Sequence, residues 1–383
     1  MTLAGTTAPV ARAPQKPDML ARVRAVVERE VRPLAARIDA DGLYPSSALT
    51  QLGAAGAFAQ HHEGFGEAAG VDLGLAISAI SAVAEACLST AFCAWCQDAF
   101  GWYLQNSENP GLRARLQAAA AAGAALGGTG LSNPMKTLSG IEPMRLRGER
   151  VAGGYLVEGA LPWVSNLQEG HFFAFCFDGP KGERVAAVAR LGADGVESRK
   201  GAQFIALEGT ATCAVGFRKA FVADENLLSD ALPRFARRIK PGFLLLQTGM
   251  VAGLVRDCAE LMRELPARIR EINAHLPTGP DALDASLDAL EGEIMSLAAT
   301  PFEDDQDYLR RVLEVRLRGS TLALDATQAL MLHAGARSYL RNSLYSRRLR
   351  ESYFIAIVTP ATKHLRKDLA ALAAPGARSC GAR

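Results

Sequence analysis

Apolar positions return at helical spacing along the first third of the chain. Over residues 18–40 they fall at Leu20, Val23, Val26, Val27, Val31, Leu34, Ala35 and Ile38, with Arg and Glu filling the other face. That pattern predicts an amphipathic helix. Asp39 to Pro45 breaks it, and Ser46-Ser47 are placed to cap a short helix through Leu52. Gly53, Gly56, Gly64, Gly66 and Gly70 mark a loop around His61-His62-Glu63. Residues 71–105 are apolar and Ala-rich, which reads as buried helix, and a further Ala-rich helix covers about 112–125.

The period changes in the middle third. Helix signals stop at Gly127-Gly128, and short apolar or alternating runs follow at 144–146, 154–157, 171–177, 185–189, 211–215 and 220–222. Their spacing predicts a compact β-barrel or sandwich. The segment from Gly127 to Pro134 holds glycines, but no strand–loop–helix unit surrounds it, so it is no dinucleotide fingerprint. It reads as a loop whose backbone approaches something closely. Four helical patterns then cover about 241–272, 284–299, 306–334 and 341–372, separated by short connections. Short connections favour an up-down four-helix bundle. The fold class is therefore α+β, with an N-terminal helical domain at 1–126, a β domain at 127–235 and a helical bundle at 236–383.

Composition narrows this picture without changing it. The chain has 383 residues, 49% hydrophobic and 21% charged, enough for a sizeable core. A net charge of +2 gives no argument for nucleic acid or an acidic membrane surface, and neither is expected as a partner. Cys87, Cys93, Cys96, Cys176, Cys213, Cys258 and Cys380 are scattered and odd in number, which suits reduced thiols and a cytoplasmic setting. Residues 1–17 lack a continuous apolar run, so no signal peptide is expected. No stretch approaches the roughly 20 apolar residues of a membrane span.

Candidate chemistry centres on Trp163-Val164-Ser165-Asn166, which follows the apolar run from Gly154. A flat π-face beside a small hydroxyl and free amides suits a planar, polar-edged cofactor. The plainer alternative is a core Trp followed by a turn. His61 and His62 diverge on any regular element and have no third ligand at useful spacing, so no metal site is expected. Cys93-Ala94-Trp95-Cys96 has redox spacing but lies within a helical run with no strand before it, which favours core packing. Arg347, Arg348 and Arg350 read as a solvated or salt-bridged set, with phosphate binding as the alternative.

The order of helices, small β domain and bundle resembles the acyl-CoA dehydrogenase family of flavoproteins, and local matches follow the family's order. Residues 31–35 through Asp41-Gly42-Leu43-Tyr44-Pro45 resemble its first helix and exit. Leu131-Ser132-Asn133-Pro134 resembles its Thr-Glu-Pro loop, and Trp163-Val164-Ser165-Asn166 its Trp-Ile-Thr-Asn strand. Residues 217–228 resemble the segment that closes its β domain. Gln328 through Ala334-Gly335 resembles its Gln-containing Gly-Gly turn, and Arg350-Glu351 its Arg-Asp pair. The resemblance implies FAD between the β domain and the bundle. Leu131 and Ser132 would face the flavin's polar edge, Trp163 with Val164 would lie along the ring, and Ser165 would donate toward N5 and O4. Gln328, Gly335 and Thr359 would lie on the adenine and diphosphate side, within the chain or across a subunit boundary. The resemblance also implies a homodimer or homotetramer and a small-molecule substrate, with acyl-CoA among the candidates.

The chain departs from the family where the reaction begins. The family's Glu stands two residues before a Thr, and here Ile357 occupies that place in Ile357-Val358-Thr359-Pro360. The alternative site on the first bundle helix, Pro241 to Gln247, has no acid either. Glu351, six helical residues before Ile357, should point about 120° away. Loss of a general base costs about 10²–10⁴-fold. The family's Arg-x-Phe-Gly element is missing, with Ala267-Arg268-Ile269-Arg270 the nearest approach. No catalytic residue is assigned. Three functions remain open: a flavin-dependent oxidoreductase acting on an acyl thioester or related small molecule, a reduced-flavin-dependent monooxygenase that His333 could assist, and a non-catalytic flavin- or acyl-binding protein.

Overall fold

The computed structural model describes residues 18–199 and 202–374. The 1–17 segment and Cys380 lie outside the described residues. The 18–40 pattern folds as a bent helical segment. Asp18 caps α1 (Met19–Val26), its Oδ1 accepting the Ala21 N–H at 2.7 Å. A π-turn (Val27–Val31) and a 3-10 turn (Arg32–Leu34) lead into α2 (Ala35–Ala40). Pro33 supplies the physical reason, because it has no N–H for the ladder and its ring crowds the turn before it. The apolar stripe stays intact: Val23, Val31 and Ile38 are fully buried.

Next come α3 (Ser46–Ala54), α4 (Leu73–Ala84), α5 (Leu88–Gln105) and α6 (Pro110–Ala121). Pro45, rather than a serine side chain, stands at the N-cap of α3. Asp72 and Asn109 cap α4 and α6 through their side chains. Every residue of α5 is buried, so it runs through the core with no solvent face.

The middle third contains β1 (Gly127–Thr129), α7 (Ser132–Leu138), β2 (Leu146–Val151), β3 (Gly154–Val164), β4 (Phe172–Asp178), β5 (Arg184–Arg190), β6 (Val196–Arg199), β7 (Cys213–Ala223) and β8 (Leu227–Ser229). They form one sheet in the order β6-β7-β3-β2-β4-β5-β8, with β1 parallel to β4. The expected 127–134 loop is thus part strand and part helix. The two runs at 211–215 and 220–222 are one strand, bent at Lys219, whose φ is +50°. Phe173, Phe175 and Phe177 point from one face of β4 into the sheet's own core with Val157 and Phe217. Ala174 and Cys176, on the other face, join the helical core. Burial on both faces explains why β4 reads as a continuous apolar run.

The last third comprises α8 (Leu232–Arg263), α9 (Ala267–Asn273), α10 (Pro280–Ala298), α11 (Gln306–Ala334), α12 (Leu344–Ile357) and α13 (Thr362–Ala373). The fourth expected helix is therefore two. Pro360 lacks an N–H and disfavours helical geometry at Thr359, so α12 ends at Ile357. Apolar residues of α4, α5, α8, α10 and α11 belong to one continuous core, so the two helical parts pack as a unit. No helix among the described residues is long and apolar enough to cross a membrane.

Candidate functional site

Three segments far apart in sequence meet at the cleft between sheet and bundle. The first is the turn from β1 into α7. A Cβ on Gly128 would stand 2.3 Å from Ser165 O, and one on Gly130 would stand 2.9 Å from Leu161 Cδ1. These two glycines let the turn lie directly against β3. Thr129 pairs with Ser165 as an isolated antiparallel bridge, and Thr129 Oγ1 is 2.9 Å from Tyr103 OH.

The second segment is the end of β3. Trp163 is 43% exposed, so it is no core residue, and Phe204 tilts against its ring with centroids 5.6 Å apart. Ser165 Oγ accepts from Thr212 Oγ1 at 2.8 Å, and Thr210 Oγ1 lies 2.8 Å behind Thr212. Asn166 ends the run with φ +59°. Its Nδ2 donates to Gly127 O at 2.8 Å, and its Oδ1 accepts from Tyr44 OH at 2.6 Å. That clamp fixes the chain's exit direction, and with it the presentation of Trp163 and Ser165.

The third segment is the break between α12 and α13. Thr359 Oγ1 lies 2.8 Å from Ser132 Oγ, and Thr359 O accepts from Gln247 Nε2 at 2.9 Å. Gln247 Oε1 accepts from Arg316 Nε at 2.6 Å. Ile357 is 66% exposed, and Tyr353, one turn earlier, and Ile205 are exposed too. Arg350 Nη1 donates to Ile205 O at 2.6 Å, which ties the 204–205 loop to α12. Glu142 lines the cleft with Ser132, Lys136, Arg145 and Trp163. Its carboxylate accepts from Asn133 Nδ2 at 2.8 Å and stands 3.8 Å from Lys136 and 3.9 Å from Arg145, so its negative charge is matched.

Ser132, Trp163, Ser165 and Thr359 therefore converge, as do the backbone atoms of Leu131 and Val164, the Leu131 side chain being buried in the helical core. The Val164 side chain itself is buried in the sheet core. Gln328 is exposed on α11 and Gly335 sits at the C-terminus of that helix, and no hydrogen bond joins either to this cluster. Tyr44, Tyr103, Thr210, Thr212 and Arg316 were not singled out by the sequence. One signal existed for Arg316: it falls on the stripe Val312, Arg316, Gly319, Ala323, every member of which is buried.

The remaining candidates fall elsewhere. His61 and His62 are buried, and both Nε2 atoms crowd Gly101, where a Cβ would meet them at 2.4 and 2.6 Å. Burial pushes His62 down to about 3 and His61 well below the usual range. His61 Nδ1 faces Asp98 Oδ1 at 3.4 Å, and burial holds that carboxyl well above its usual range. Among the described residues no group of three His, Cys, Asp or Glu is arranged to hold a metal. Arg348 donates to Asp257 at 2.7 Å and Glu351 at 2.8 Å, and Arg350 pairs with Asp39, so these arginines form ion pairs. Cys93 and Cys96 are buried in α5. His333 Nε2 donates to Thr278 O at 2.8 Å.

Residues 14–124 match the model of the acyl-CoA dehydrogenase N-terminal domain. No curated protein matches the chain in sequence. In structure the chain is similar to butyryl-CoA dehydrogenase from Megasphaera elsdenii, with a TM-score of 0.81 at 14% identity over 92% of this chain and 96% of that one. It is similar to the dibenzothiophene monooxygenase of Paenibacillus sp. A11-2, with a TM-score of 0.77 at 15% identity over 92% and 96% of the two chains. KijD3, solved with FMN and a dTDP-linked amino-keto sugar, gives a TM-score of 0.78 at 19% identity over 92% of each chain. Residues 14–124 thus resemble the N-terminal domain of acyl-CoA dehydrogenases, and the chain as a whole has the fold of these solved structures.

Proposed function

We propose that the protein is a flavin-dependent oxidoreductase of the acyl-CoA dehydrogenase superfamily, acting on a small molecule in the cleft between sheet and bundle. The observation that carries this reading is the convergence of the exposed Trp163 face, Ser165 and the Ser132–Thr359 pair. A planar ring with a polar edge needs an apolar face and nearby donors, and this set supplies both. Ser165 accepts from Thr212, which leaves its own proton free to donate into the cleft. A donor there stabilises negative charge as it develops on a bound ring. The flavin, when bound, would supply the electron-transfer chemistry; the chain's residues hold it and exclude water.

A second observation bears on which reaction follows. Ile357 is exposed where the family resemblance puts a carboxylate, and Gln247 is fully occupied between Arg316 and Thr359 O. Neither accepts a proton from carbon. Trp163, Ile205, Tyr353 and Ile357 are exposed apolar residues on or tied to the segments that meet at the cleft, and a ligand covering them would be shielded from water, as oxygen chemistry on reduced flavin requires. This supports reduced-flavin-dependent monooxygenation over dehydrogenation of an acyl thioester. Arg268 and Arg270 are exposed and the Arg-x-Phe-Gly element is absent, so FMN competes with FAD as the bound flavin. Leu332, Tyr339, Leu340 and Leu344 are exposed around the end of α11, beside Gly335, which supports a homodimer or homotetramer closing on that face.

The test is a spectrum of the protein with each flavin, followed by two assays. Substrate-dependent O₂ uptake with reduced flavin supports the monooxygenase. Anaerobic bleaching by an acyl-CoA panel supports the dehydrogenase. A folded protein that binds neither flavin overturns the proposal.

A further inference from the structure

Among the described residues two arginines, Arg316 and Arg348, are fully buried, and they are treated differently. Arg348 faces two carboxylates, Asp257 at 2.7 Å and Glu351 at 2.8 Å. Arg316 faces none. Its Nε donates to Gln247 Oε1 at 2.6 Å, its Nη1 to Ser320 Oγ, and its Nη2 to Ile355 O at 2.8 Å. Burial lowers its pKa to about 10, which still leaves it charged at neutral pH. A buried charge that is hydrogen-bonded but unpaired is costly to hold. One part of its compensation is visible: Ile355 lies in the last turn of α12, whose carbonyl end carries partial negative charge. That is a partial charge against a whole one.

The position of Arg316 makes the excess useful. Gln247 relays it to Thr359 O, and Thr359 Oγ1 touches Ser132 Oγ. Arg316 therefore stands two hydrogen bonds behind the residues that close the candidate site. Its three donors also fix that site's geometry. The bond to Gln247 Oε1 sets the orientation of the amide, so its NH₂ faces Thr359 O. The bond to Ile355 O satisfies a carbonyl in the last turn of α12, which ends at the exposed Ile357.

We infer that Arg316 is a positioning residue whose unpaired positive charge favours an anionic group of a flavin bound at the Ser132–Thr359 pair. This rests on the flavin reading above. The anionic group is either the reduced ring or the phosphate tail, and the two are separable by experiment. A unit charge about 12 Å away, at an effective dielectric near 20, is worth about tenfold in an equilibrium.

The experiment compares wild type with Arg316→Lys, Arg316→Gln and Gln247→Glu. Each is titrated with riboflavin, FMN and FAD, its bound flavin is titrated reductively, and its melting temperature is recorded. Gln247→Glu sets a carboxylate against Arg316 and cancels the charge, but it also replaces the donor to Thr359 O by an acceptor, so its effect counts for the inference only where Arg316→Gln, which keeps Gln247, shares it. If the charge acts on the ring, Gln247→Glu and Arg316→Gln favour oxidised over reduced flavin by about tenfold, roughly 30 mV for a two-electron couple. If it acts on the phosphate, both weaken FMN and FAD about tenfold and leave riboflavin unchanged. In either case Arg316→Lys, which keeps the charge, stays near wild type. Should Arg316→Gln fail to fold, Gln247→Glu can still overturn the inference. Equal affinities and potentials for wild type and Gln247→Glu overturn the inference while leaving the flavin reading intact. So do losses that follow melting temperature rather than charge. A wild type that binds no flavin overturns both.

Discussion

Ser132 Oγ and Thr359 Oγ1 stand 2.8 Å apart, although 227 positions separate them in the chain. The contact ties the turn after β1 to the break between α12 and α13, so it bridges sheet and bundle at the candidate site. Ser132→Ala or Thr359→Val removes one hydroxyl–hydroxyl bond, worth about 0.5–1.5 kcal/mol. The expected result is flavin affinity weaker by up to about tenfold, with little change in melting temperature, since both residues are partly exposed. Fluorescence titration checks the affinity and a thermal melt the stability; unchanged affinity in both variants would remove this pair from the site.

Trp163 offers a ring face to the cleft rather than to the core. Trp163→Ala should therefore cost flavin affinity more than fold stability. Loss of an aromatic stacking face is worth about 0.5–1.5 kcal/mol beyond the area it covers, so a decrease of tenfold or more is expected, and Trp163→Phe should recover most of it. A variant that loses stability but keeps flavin affinity would return Trp163 to a packing role.

Much of this was legible in the sequence, for identifiable reasons. Val23, Val31 and Ile38 announced a helical stripe because period 3.6 survives the π-turn that Pro33 induces. Trp163 and Ser165 could be singled out as candidates because strand residues near a turn carry their chemistry locally. What remained hidden depended on long-range partners. The fourth bundle helix seemed continuous because Ile355 and Leu365 keep its buried face on either side of Pro360. Asn166 announced a turn, yet only the fold brings Tyr44 to its Oδ1. Arg316 looked like one more surface arginine on α11, since charge alone does not say which face a residue occupies. Gln328 and Gly335, named from the family resemblance, stand apart from the cleft within one chain, and a second subunit is the arrangement that would bring them to a flavin.

The buried pair His61 and His62 sets a pH dependence of folding. Burial holds both imidazoles neutral in the fold, His62 down to about 3, while the unfolded chain protonates them below about 6.5. The unfolded state then binds more protons, so stability falls as pH falls through that window. Asp98 acts in the opposite direction: its carboxyl stays protonated in the fold and ionises in the unfolded chain above about 4. Two histidines against one carboxyl leave these three groups a net uptake of about one proton on unfolding, or roughly 1.4 kcal/mol lost per pH unit between about 6.5 and 4, and His171 and His364, which burial also lowers, add in the same direction. His62→Asn should make that slope shallower by about one proton's worth, because His61 and Asp98 then offset each other. Urea denaturation at pH 7, 6 and 5 decides it; parallel profiles for wild type and variant would show that His62 does not titrate on unfolding.

Ile357 gives the sharpest test of the reaction itself. It is 66% exposed at the end of α12, and Glu351, on the same helix, is buried against Arg348 and turned away. A carboxylate at 357 would stand in solvent-accessible space one turn after Tyr353, so Ile357→Glu should change stability by no more than about 0.5 kcal/mol. A positioned general base contributes about 10²–10⁴-fold. If the cleft admits an acyl thioester, Ile357→Glu should raise its dehydrogenation by a factor in that range, measured with an artificial electron acceptor. Wild type should stay near background in the same assay and show O₂ uptake only with reduced flavin and the right substrate. A variant that holds flavin, binds acyl-CoA and still fails to oxidise it would mean that the cleft does not present the α-carbon to residue 357. Wild-type turnover of an acyl-CoA at about 1–10³ s⁻¹ would be the stronger result against this reading, because it would require a base supplied from outside the two segments where the family keeps one.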